Sequence, residues 1–347
     1  MEFTQEQLKT LIGQSALKAD HEFVAPPICL EINGEYGNQI FATLGNFSTI
    51  LARPKVGKTT FTAILICTLL TGNPILKFIP RLSDKRKILW IDNEQGKPEC
   101  VRIIRFISKK VTGNEKDHPN NLIFLSLRQF NYKQRIAIAE FAINNVPDLF
   151  FVVIDGIRDF VSSINDEKEA TFISDKLLKW TEQKNIHILT ILHQNKGDSN
   201  ARGHLGTELI NKAETVAKLT RDESSNTRLT IVEPEFTRHK DFESFAYSID
   251  DEGNLSDEEK TQGYQPQSPK AIELTHIEIV DILKQIYTNG ESYSFGKLQD
   301  RIYQVCHKNM FESFGKNKCS DLIKRMKEDR FITQKKDSVE YECNIPK

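Results

Sequence analysis

The chain has 347 residues, enough for about two domains that each bury a core of their own. Hydrophobic residues make up 39% of the chain and charged residues 27%, a composition that excludes disordered and fibrous proteins. The formal net charge of -1 excludes a polycation that coats nucleic acid indiscriminately, so any nucleic-acid contact must come from a local patch.

Compartment and membrane contact are predicted from three simpler features. The first twenty residues carry glutamates and no apolar block, so we expect no signal peptide. The most apolar run, residues 61–70, is too short to cross a bilayer. The six cysteines are scattered without a C-x-x-C pair, which argues against zinc and against a disulfide framework. We therefore expect a cytoplasmic protein without membrane contact.

Residues 1–27 are predicted to form an N-terminal helix and a lead-in to the first domain. Apolar residues recur at helical spacing over residues 5–18, and a Pro-Pro pair follows at Pro26 and Pro27. Short β-type runs between Cys29 and Leu51 surround glycines and asparagines, which indicates small antiparallel strands.

Residues 28–250 then alternate between apolar strands and helix-length segments. The strands are predicted at residues 87–92, 122–127, 149–155 and 186–192, and the helices at residues 99–110, 132–145 and 168–183. Apolar strands without polar alternation are typical of a parallel sheet covered on both faces. The predicted fold class is therefore α/β, a doubly wound and mainly parallel sheet. Three further strands, between residues 213 and 250, are expected to extend one edge.

The remaining chain is predicted to form a linker and a small second domain. Residues 251–269 are acidic and polar, so they can bury little apolar surface and are interpreted as a linker. Residues 270–347 show three helical patterns, at 271–287, 294–305 and 314–330, followed by a two-stranded hairpin. That order is the order of a winged helix.

A phosphate-binding loop is predicted from Ala52 to Thr59, with the pattern A-x-x-x-x-G-K-T. It follows an apolar strand and opens an apolar helix, which is the context that this motif requires. Backbone N–H groups of such a loop surround the phosphates of a nucleotide, a lysine reaches the β and γ phosphates, and a threonine binds Mg²⁺. Ala52 stands where the motif usually has its first glycine, at the strand end, where a methyl group should be tolerated. The predicted nucleotide-binding residues are Pro54, Lys55, Val56, Gly57, Lys58, Thr59 and Thr60.

Acidic residues at the ends of two other strands complete the predicted site. A magnesium ion in such a site needs a second carboxylate at the end of a neighbouring strand, and Asp155 supplies it beside Thr59. ATP hydrolysis also needs a group that orients water. Asp92 and Glu94 alternate onto one face at the end of their strand, where ligands of such sheets bind.

From Cys29 to Asp250 the chain resembles the RecA-like ATPases. The I-D-x-E pattern ending at Glu94 resembles the strand end that carries their catalytic glutamate, which implies Glu94 as the base and makes Asp92 the weaker candidate. The stretch "TILHQNKGDSNARG" resembles the hexameric helicases of the DnaB and plasmid RepA type. That resemblance implies a γ-phosphate sensor at His193, with Gln194 second.

The resemblance also implies a cation that acts on a neighbouring subunit's nucleotide. The RepA-type helicases place an arginine finger ten residues beyond the Arg of the "RG" pair, where this chain has Lys212. Arg221 and Arg238 are alternatives, so the identity of the finger stays open. A homo-oligomer with ATP at its interfaces is expected, with a hexamer among the forms that it can take.

DNA contacts are predicted on a loop and on the second domain. A basic, polar loop after His193 can present cations to a phosphodiester backbone, although a solvated loop would look the same. A winged helix contacts DNA with its third helix and its wing, although it can also serve protein contacts alone. The predicted DNA-binding residues are Lys196, Arg202, Lys316, Lys318, Lys324, Arg325, Lys335 and Lys336.

The sequence thus predicts a Mg²⁺-dependent ATPase that acts on DNA. The resemblance implies a helicase or translocase in the replication or mobilisation of a plasmid or mobile element. The alternative is a regulatory or loader ATPase whose nucleotide state controls assembly on DNA without strand separation. A signalling ATPase that uses its tail for protein contacts is a third class.

Overall fold

The structure is a computed structural model, and the chain divides into two compact units, Met1–Thr261 and Gln262–Lys347. The structure describes residues 3–20, 22, 24–82, 86–194, 203–222, 229–250, 253–258, 274, 276–288, 291–309, 316–334 and 338–344.

The first unit has α/β architecture, with its strands and helices alternating over most of its length. Its strands are β1 (Ile28–Ile32), β2 (Gln39–Thr43), β3 (Phe47–Ala52), β4 (Phe78–Pro80), β5 (Lys87–Asp92), β6 (Leu122–Ser126), β7 (Leu149–Asp155), β8 (His187–His193), β9 (Thr215–Arg221), β10 (Thr230–Thr237), β11 (Phe245–Ile249) and β12 (Leu255–Glu258). Its helices are α1 (Gln5–Ser15), α2 (Lys58–Thr71), α3 (Lys97–Thr112), α4 (Tyr132–Asn145), α5 (Glu167–Lys184) and α6 (Gly203–Lys212).

Nine of the described strands form one sheet in the order β12-β11-β10-β9-β3-β8-β7-β5-β6. Every neighbouring pair from β9 to β6 is parallel, and β10, β11 and β12 extend the β9 side as antiparallel strands. The large, mainly parallel sheet and the added strands at one edge agree with the sequence prediction.

Side-chain alternation along the central strands divides the core into two layers. In β7, Phe151 and Val153 belong to the core cluster that contains most of α2, whereas Val152 and Ile154 belong to the cluster with α4, α5 and α6. Successive side chains of a strand point to opposite faces, so a strand covered on both faces must be apolar throughout. This is why the sequence of β7 is an uninterrupted apolar run.

A small three-stranded sheet has the order β2-β1-β4. Its strands β1 and β2 precede the phosphate-loop helix α2 in the chain, and β4 follows it. The antiparallel pair β1 and β2 was predicted, whereas β4 was not, because three residues give no periodic signal. Helix α1 begins with a capping box at Thr4 and ends at Ser15, three residues before the predicted end. None of its residues is buried.

The predicted linker contains a strand. Leu255–Glu258 form β12, which pairs antiparallel with β11 and completes one edge of the large sheet. The interpretation of these four residues as linker was therefore wrong, because an edge strand can be acidic on its open side and still gain backbone hydrogen bonds. Residues 259–269 lie outside the described residues.

The second unit contains three helices and a small antiparallel sheet. The described elements are α7 (His276–Ile286), β13 (Tyr293–Ser294), α8 (Phe295–Asn309), α9 (Lys316–Glu328), β14 (Ile332–Gln334) and β15 (Glu340–Cys343). The strands pair in the order β13-β15-β14 around a separate apolar core. Three helices followed by a hairpin is the predicted order, and the assignment as a winged helix stays a prediction. Across both units, none of the helices in the described part of the chain combines the length and apolarity that crossing a membrane requires.

Candidate nucleotide-binding site

The carboxyl ends of β3, β5, β7 and β8 bring the predicted site residues together. In β5, Ile88 and Trp90 face the α2 layer of the core, and strand alternation puts Asp92 on the same side. Asp92 and Asp155 are direct neighbours in the parallel register of β5 and β7. Both acids therefore lie on the face of the sheet that α2 covers, at the edge where α2 begins.

The loop between β3 and α2 has the backbone that phosphate binding requires. Gly57 has φ 99° and Lys55 has φ 68°, both in the left-handed region. A glycine adopts this region without strain, whereas a lysine there indicates a loop held in a special conformation. Gly57 also precedes α2 without any side-chain cap, so the first N–H groups of α2 are left for another acceptor.

Thr59, in the first turn of α2, lies at the centre of a short chain of hydrogen bonds that joins this helix to the ends of β7 and β5. Its hydroxyl donates to Oδ2 of Asp155 at 3.1 Å and accepts from Nε2 of Gln95 at 3.1 Å. Asp155 is 2% exposed. A threonine hydroxyl next to a buried carboxylate is the pair of oxygen ligands expected for Mg²⁺ in a phosphate-loop site.

His193 connects the lysine of the loop to the predicted base. Nζ of Lys58 lies 3.2 Å from Nδ1 of His193, and Nε2 of His193 lies 3.2 Å from Oε2 of Glu94. A charged ammonium can only donate, so Nδ1 accepts, and the ring proton on Nε2 is donated to Glu94. The three residues thus form one directed chain, Lys58 to His193 to Glu94.

Asp92 fixes the turn that carries Glu94. Its Oδ1 accepts hydrogen bonds from the backbone N–H groups of Glu94 at 3.1 Å and of Gln95 at 2.7 Å. Its other oxygen, Oδ2, is buried and has no hydrogen-bond partner among the described residues. Asp92 therefore acts on the site through the backbone, and it holds Glu94 and Gln95 in place after the strand ends.

Burial and neighbouring charges shift the pKa values of the site. Burial, and then the nearby Asp92 carboxylate, raises the pKa of Asp155 to about 7. Burial also raises the pKa of Asp92 and lowers the pKa of Lys58. The hydrogen bond from His193 lowers the pKa of Glu94, which keeps that carboxylate ionised at neutral pH. Perturbed groups of opposite direction in one cleft are characteristic of functional sites.

These residues fit a nucleotide with magnesium. The helix start offers free N–H groups to phosphate, Thr59 and Asp155 offer oxygen ligands to the metal, and Asp92 has a buried oxygen without a partner among the described residues. No group of three or more His, Cys, Asp or Glu residues that could hold a metal occurs in the described ranges. Mg²⁺ bound together with a nucleotide does not need one, because phosphates and water fill most of its coordination sphere.

The candidates for a cation acting across an interface lie at different edges of the sheet. Lys212 ends α6 just before β9 starts, at the amino edge, and it pairs with Glu208 at 3.0 Å and Asp175 at 3.2 Å. Arg238 lies at the same edge and donates to the carbonyl of Lys212 at 2.8 Å. Arg221 ends β9 at the carboxyl edge, is exposed, and has no ion-pair partner in the described part of the chain.

The predicted DNA-binding residues are only partly described. Lys196, Arg202, Lys335 and Lys336 lie outside the described residues. Lys316 begins α9, and Lys318 and Lys324 follow in the same helix, with Lys324 exposed. Arg325 is engaged within its own unit, because it donates to Oδ2 of Asp329 at 3.3 Å and to the carbonyl of Leu274 at 2.6 Å.

Two contributions to the site were not predicted from the sequence. Gln95, which donates to Thr59, was not among the predicted residues, and Asp92 was predicted only as a weaker candidate for the base, not as the residue that holds the turn. An Asp followed by a polar turn is a known signal for side-chain to backbone hydrogen bonds, so the role of Asp92 was open to prediction. The contact of Gln95 with Thr59 depends on the distance between the turn after β5 and the start of α2, so it could not be predicted from the sequence.

Comparison with known proteins agrees with this geometry. Residues 38–199, a little less than half of the chain, match the family model described as an AAA domain. One solved structure, an ATPase domain, is similar over 62% of this chain and 85% of that domain, with 16% identity and a TM-score of 0.47, a likeness too distant to carry a function. No curated protein matches the chain significantly. Residues 38–199 are thus similar to an AAA domain, and the phosphate-loop geometry within them fits the binding of a nucleotide.

Proposed function

We propose that this protein is a Mg²⁺-dependent ATPase that acts on DNA. It would assemble into a homo-oligomer and work as a helicase or translocase. One observation carries the proposal: Lys58, Thr59, Asp155, His193 and Glu94 form two short hydrogen-bonded chains at the carboxyl edge of the sheet, where the phosphate loop begins α2. The spacing and the residue types match what ATP hydrolysis needs.

ATP would be bound by the loop from Pro54 to Thr60. The unsatisfied N–H groups at the start of α2 donate to the phosphates, and the positive end of the helix favours their charge. Lys58 exchanges His193 for the β and γ phosphates. Burial lowers the pKa of Lys58, and the phosphate charge restores the preference for its protonated form.

Thr59 and Asp155 would hold magnesium, and the ion would neutralise phosphate charge as the bond to the γ phosphate breaks. Asp155 is then ionised, because the pKa of about 7 belongs to the chain without a cation. Gln95 keeps the Thr59 hydroxyl oriented towards this position by donating to its oxygen.

Glu94 would orient and deprotonate the attacking water. Its carboxylate is half exposed and faces the cleft, and the His193 hydrogen bond keeps it ionised. His193 can report the γ phosphate to Glu94, since its two ring nitrogens contact Lys58 and Glu94 at once. When Lys58 moves to the phosphate, Nδ1 loses its donor, and the ring is free to follow.

Action on DNA and assembly into an oligomer are supported by fewer observations. The exposure of Arg221 at the carboxyl edge supports it as the cation that would act on a neighbouring copy, whereas Lys212 would first have to break its ion pairs with two acids. Lys324 on α9 is available for DNA. The role in replication or mobilisation of a plasmid rests on the resemblance to RepA-type helicases.

ATP turnover with and without single-stranded DNA tests the proposal. Turnover should need Mg²⁺, rise when DNA is added, and fall to background in Lys58→Ala. Lys179→Ala on α5, an exposed lysine of the same unit, is the matched control and should behave as the unchanged protein. Turnover that does not respond to DNA would contradict an action on DNA and would favour a signalling ATPase.

A fork-unwinding assay separates the two DNA-dependent functions. A helicase separates strands in proportion to its ATP turnover, and both activities vanish in Lys58→Ala. A loader or regulator binds DNA in a nucleotide-dependent way without separating strands. Retained DNA stimulation without unwinding would therefore replace the helicase by the loader as the proposed function.

A further inference from the structure

Helix α3 carries a basic stripe, defined here as Arg102, Arg105 and Lys109. The helix sequence KPECVRIIRFISKKVT contains five Lys and Arg residues and one Glu, in a chain whose net charge is -1. The three stripe residues are spaced by three and four positions, so they lie in one row on the helix. The row covers about 10 Å along the axis at 1.5 Å per residue.

The basic stripe faces solvent directly. Cys100 and Ile107, which are buried, lie about half a turn around the helix from the stripe, and all three stripe residues are exposed. No described residue forms an ion pair with any of the three. By contrast, the exposed surface of α5 mixes acids and bases along its whole length, and Lys176 pairs there with Glu140.

The helix dipole accounts for only part of this stripe. A lysine in the last turn stabilises the negative end of a helix, and Lys109 can do that. Arg102 and Arg105 lie in the middle of α3, where the helix dipole has no such effect. Unpaired like charges in one row repel one another, so the stripe weakens the isolated chain unless an anion covers it.

We propose that the basic stripe of α3 binds the phosphodiester backbone of DNA. A strand carries one phosphate per about 3.4 Å of helix axis, so the row of about 10 Å spans about three phosphates. Arginine recognises phosphate with two parallel hydrogen bonds, and two of the three residues are arginines. This surface shares no residue with the loop after His193 or with the second unit, where DNA contacts were predicted from the sequence.

The choice of DNA as the polyanion rests on the proposed function, whereas the position of the surface does not. Helix α3 begins two residues after Gln95, so DNA on the stripe would contact the element that follows the catalytic turn. A DNA strand bound to the stripe would contact α3, and the nucleotide would contact the turn that leads directly into the same helix.

The test compares the full-length chain with Arg102→Gln/Arg105→Gln/Lys109→Gln. DNA affinity is measured by fluorescence anisotropy over a series of salt concentrations, with single-stranded and duplex oligonucleotides in separate arms. Loss of three phosphate contacts should reduce the slope of log affinity against log salt by about 2 to 3, at about 0.7 to 0.9 per contact. Basal ATP turnover without DNA should stay unchanged, which shows that the variant folds.

The control removes the same charge elsewhere on the unit. Lys168→Gln/Lys179→Gln/Lys184→Gln neutralises three exposed lysines of α5 and should leave the salt slope unchanged. Whichever DNA form loses its slope in the stripe variant is the form bound there. Equal slopes for the stripe variant and the unchanged protein in both arms would overturn the proposal.

Two further results separate this proposal from neighbouring ones. If polyglutamate displaces DNA from the stripe as efficiently as unlabelled DNA does, the surface binds acidic protein segments and the proposal fails. If the unchanged protein does not hydrolyse ATP but the stripe variant still loses its salt slope, the proposed function fails and the DNA surface stands.

Discussion

One carboxylate is buried at each of two edges of the large sheet, to the same degree but with different surroundings. Asp155 at the carboxyl edge and Glu214 at the amino edge are both 2% exposed. Glu214 accepts hydrogen bonds from the Thr43 N–H at 2.9 Å, from the Thr43 hydroxyl at 2.6 Å and from Nε2 of His239 at 3.1 Å. Asp155 accepts a hydrogen bond from the Thr59 hydroxyl and lies beside a second buried acid, Asp92.

This difference shows how a buried acid that stabilises the fold can be told from one reserved for a ligand. A buried carboxylate with all of its donors in place ties the elements around it together, here β2 to the start of β9. A buried carboxylate next to another acid lowers the stability of the fold, and a bound cation supplies the opposite charge that offsets this cost. Burial alone therefore does not distinguish the two carboxylates, whereas the groups around each carboxylate do: hydrogen-bond donors surround Glu214, and a second buried acid lies beside Asp155.

The largest expected effect comes from removing the acid that faces the cleft. Glu94→Gln keeps the size and the polar contacts of the side chain but cannot take a proton from water. Turnover should fall by about 10²- to 10⁴-fold, the contribution of a general base, while binding of a fluorescent ATP analogue is retained. Glu182→Gln on α5, also exposed, serves as the control. A loss of less than about fivefold would remove Glu94 from the chemistry and make Asp92 the candidate base.

Replacing the buried acid should lower the unfolding free energy at the amino edge and should not lower it at the carboxyl edge. Glu214→Ala leaves the buried N–H and hydroxyl of Thr43 without an acceptor and should lower the free energy of unfolding by about 2–4 kcal/mol. Asp155→Asn removes a charge that the fold does not neutralise, so the same measurement should be unchanged or raised. Urea unfolding in EDTA without nucleotide gives both values. Equal destabilisation by the two variants would contradict the comparison.

The sequence predicted the parts of this contrast that depend on local pattern. The phosphate loop, Asp155 and Glu94 follow from a motif and from the ends of apolar strands. In the structure Asp155 contacts Thr59 of the loop directly, and Glu94 is connected to Lys58 through His193. The Glu214 cluster could not be predicted, because its partner Thr43 lies 171 positions away and nothing in either neighbourhood marks the pair. The strand β12 was missed because edge pairing by backbone needs no apolar residues.

The pH dependence of stability should follow the acid at the carboxyl edge. Asp155 has a folded pKa of about 7 against an ordinary value of 3.8. Between those values the folded protein binds more protons than the unfolded chain, so stability falls as pH rises, by up to about 1.4 kcal/mol per pH unit. The unfolding free energy in EDTA of the unchanged protein, minus that of Asp155→Asn, should therefore decline from about pH 4 to pH 7. Taking this difference removes the opposite contribution of His187, whose pKa is lowered by burial. The raised pKa of Asp92 acts in the same direction and remains in the variant. A difference between the two proteins that is flat with pH would show that Asp155 stays ionised without a cation.

The smallest effect is expected at Ala52, which occupies the usual first glycine position of the loop. Ala52 is the last residue of β3, is fully buried, and does not have a positive φ. Its carbonyl accepts the N–H of Gln194 at 3.1 Å, so its role is that of an ordinary strand residue although it lies at the functional edge. Because glycine loses more conformational freedom on folding, Ala52→Gly should lower the unfolding free energy by about 0.5–1 kcal/mol and leave turnover unchanged. A several-fold gain in turnover would instead show that the methyl group restrains the phosphate loop, since only a change in loop geometry connects this position to the nucleotide.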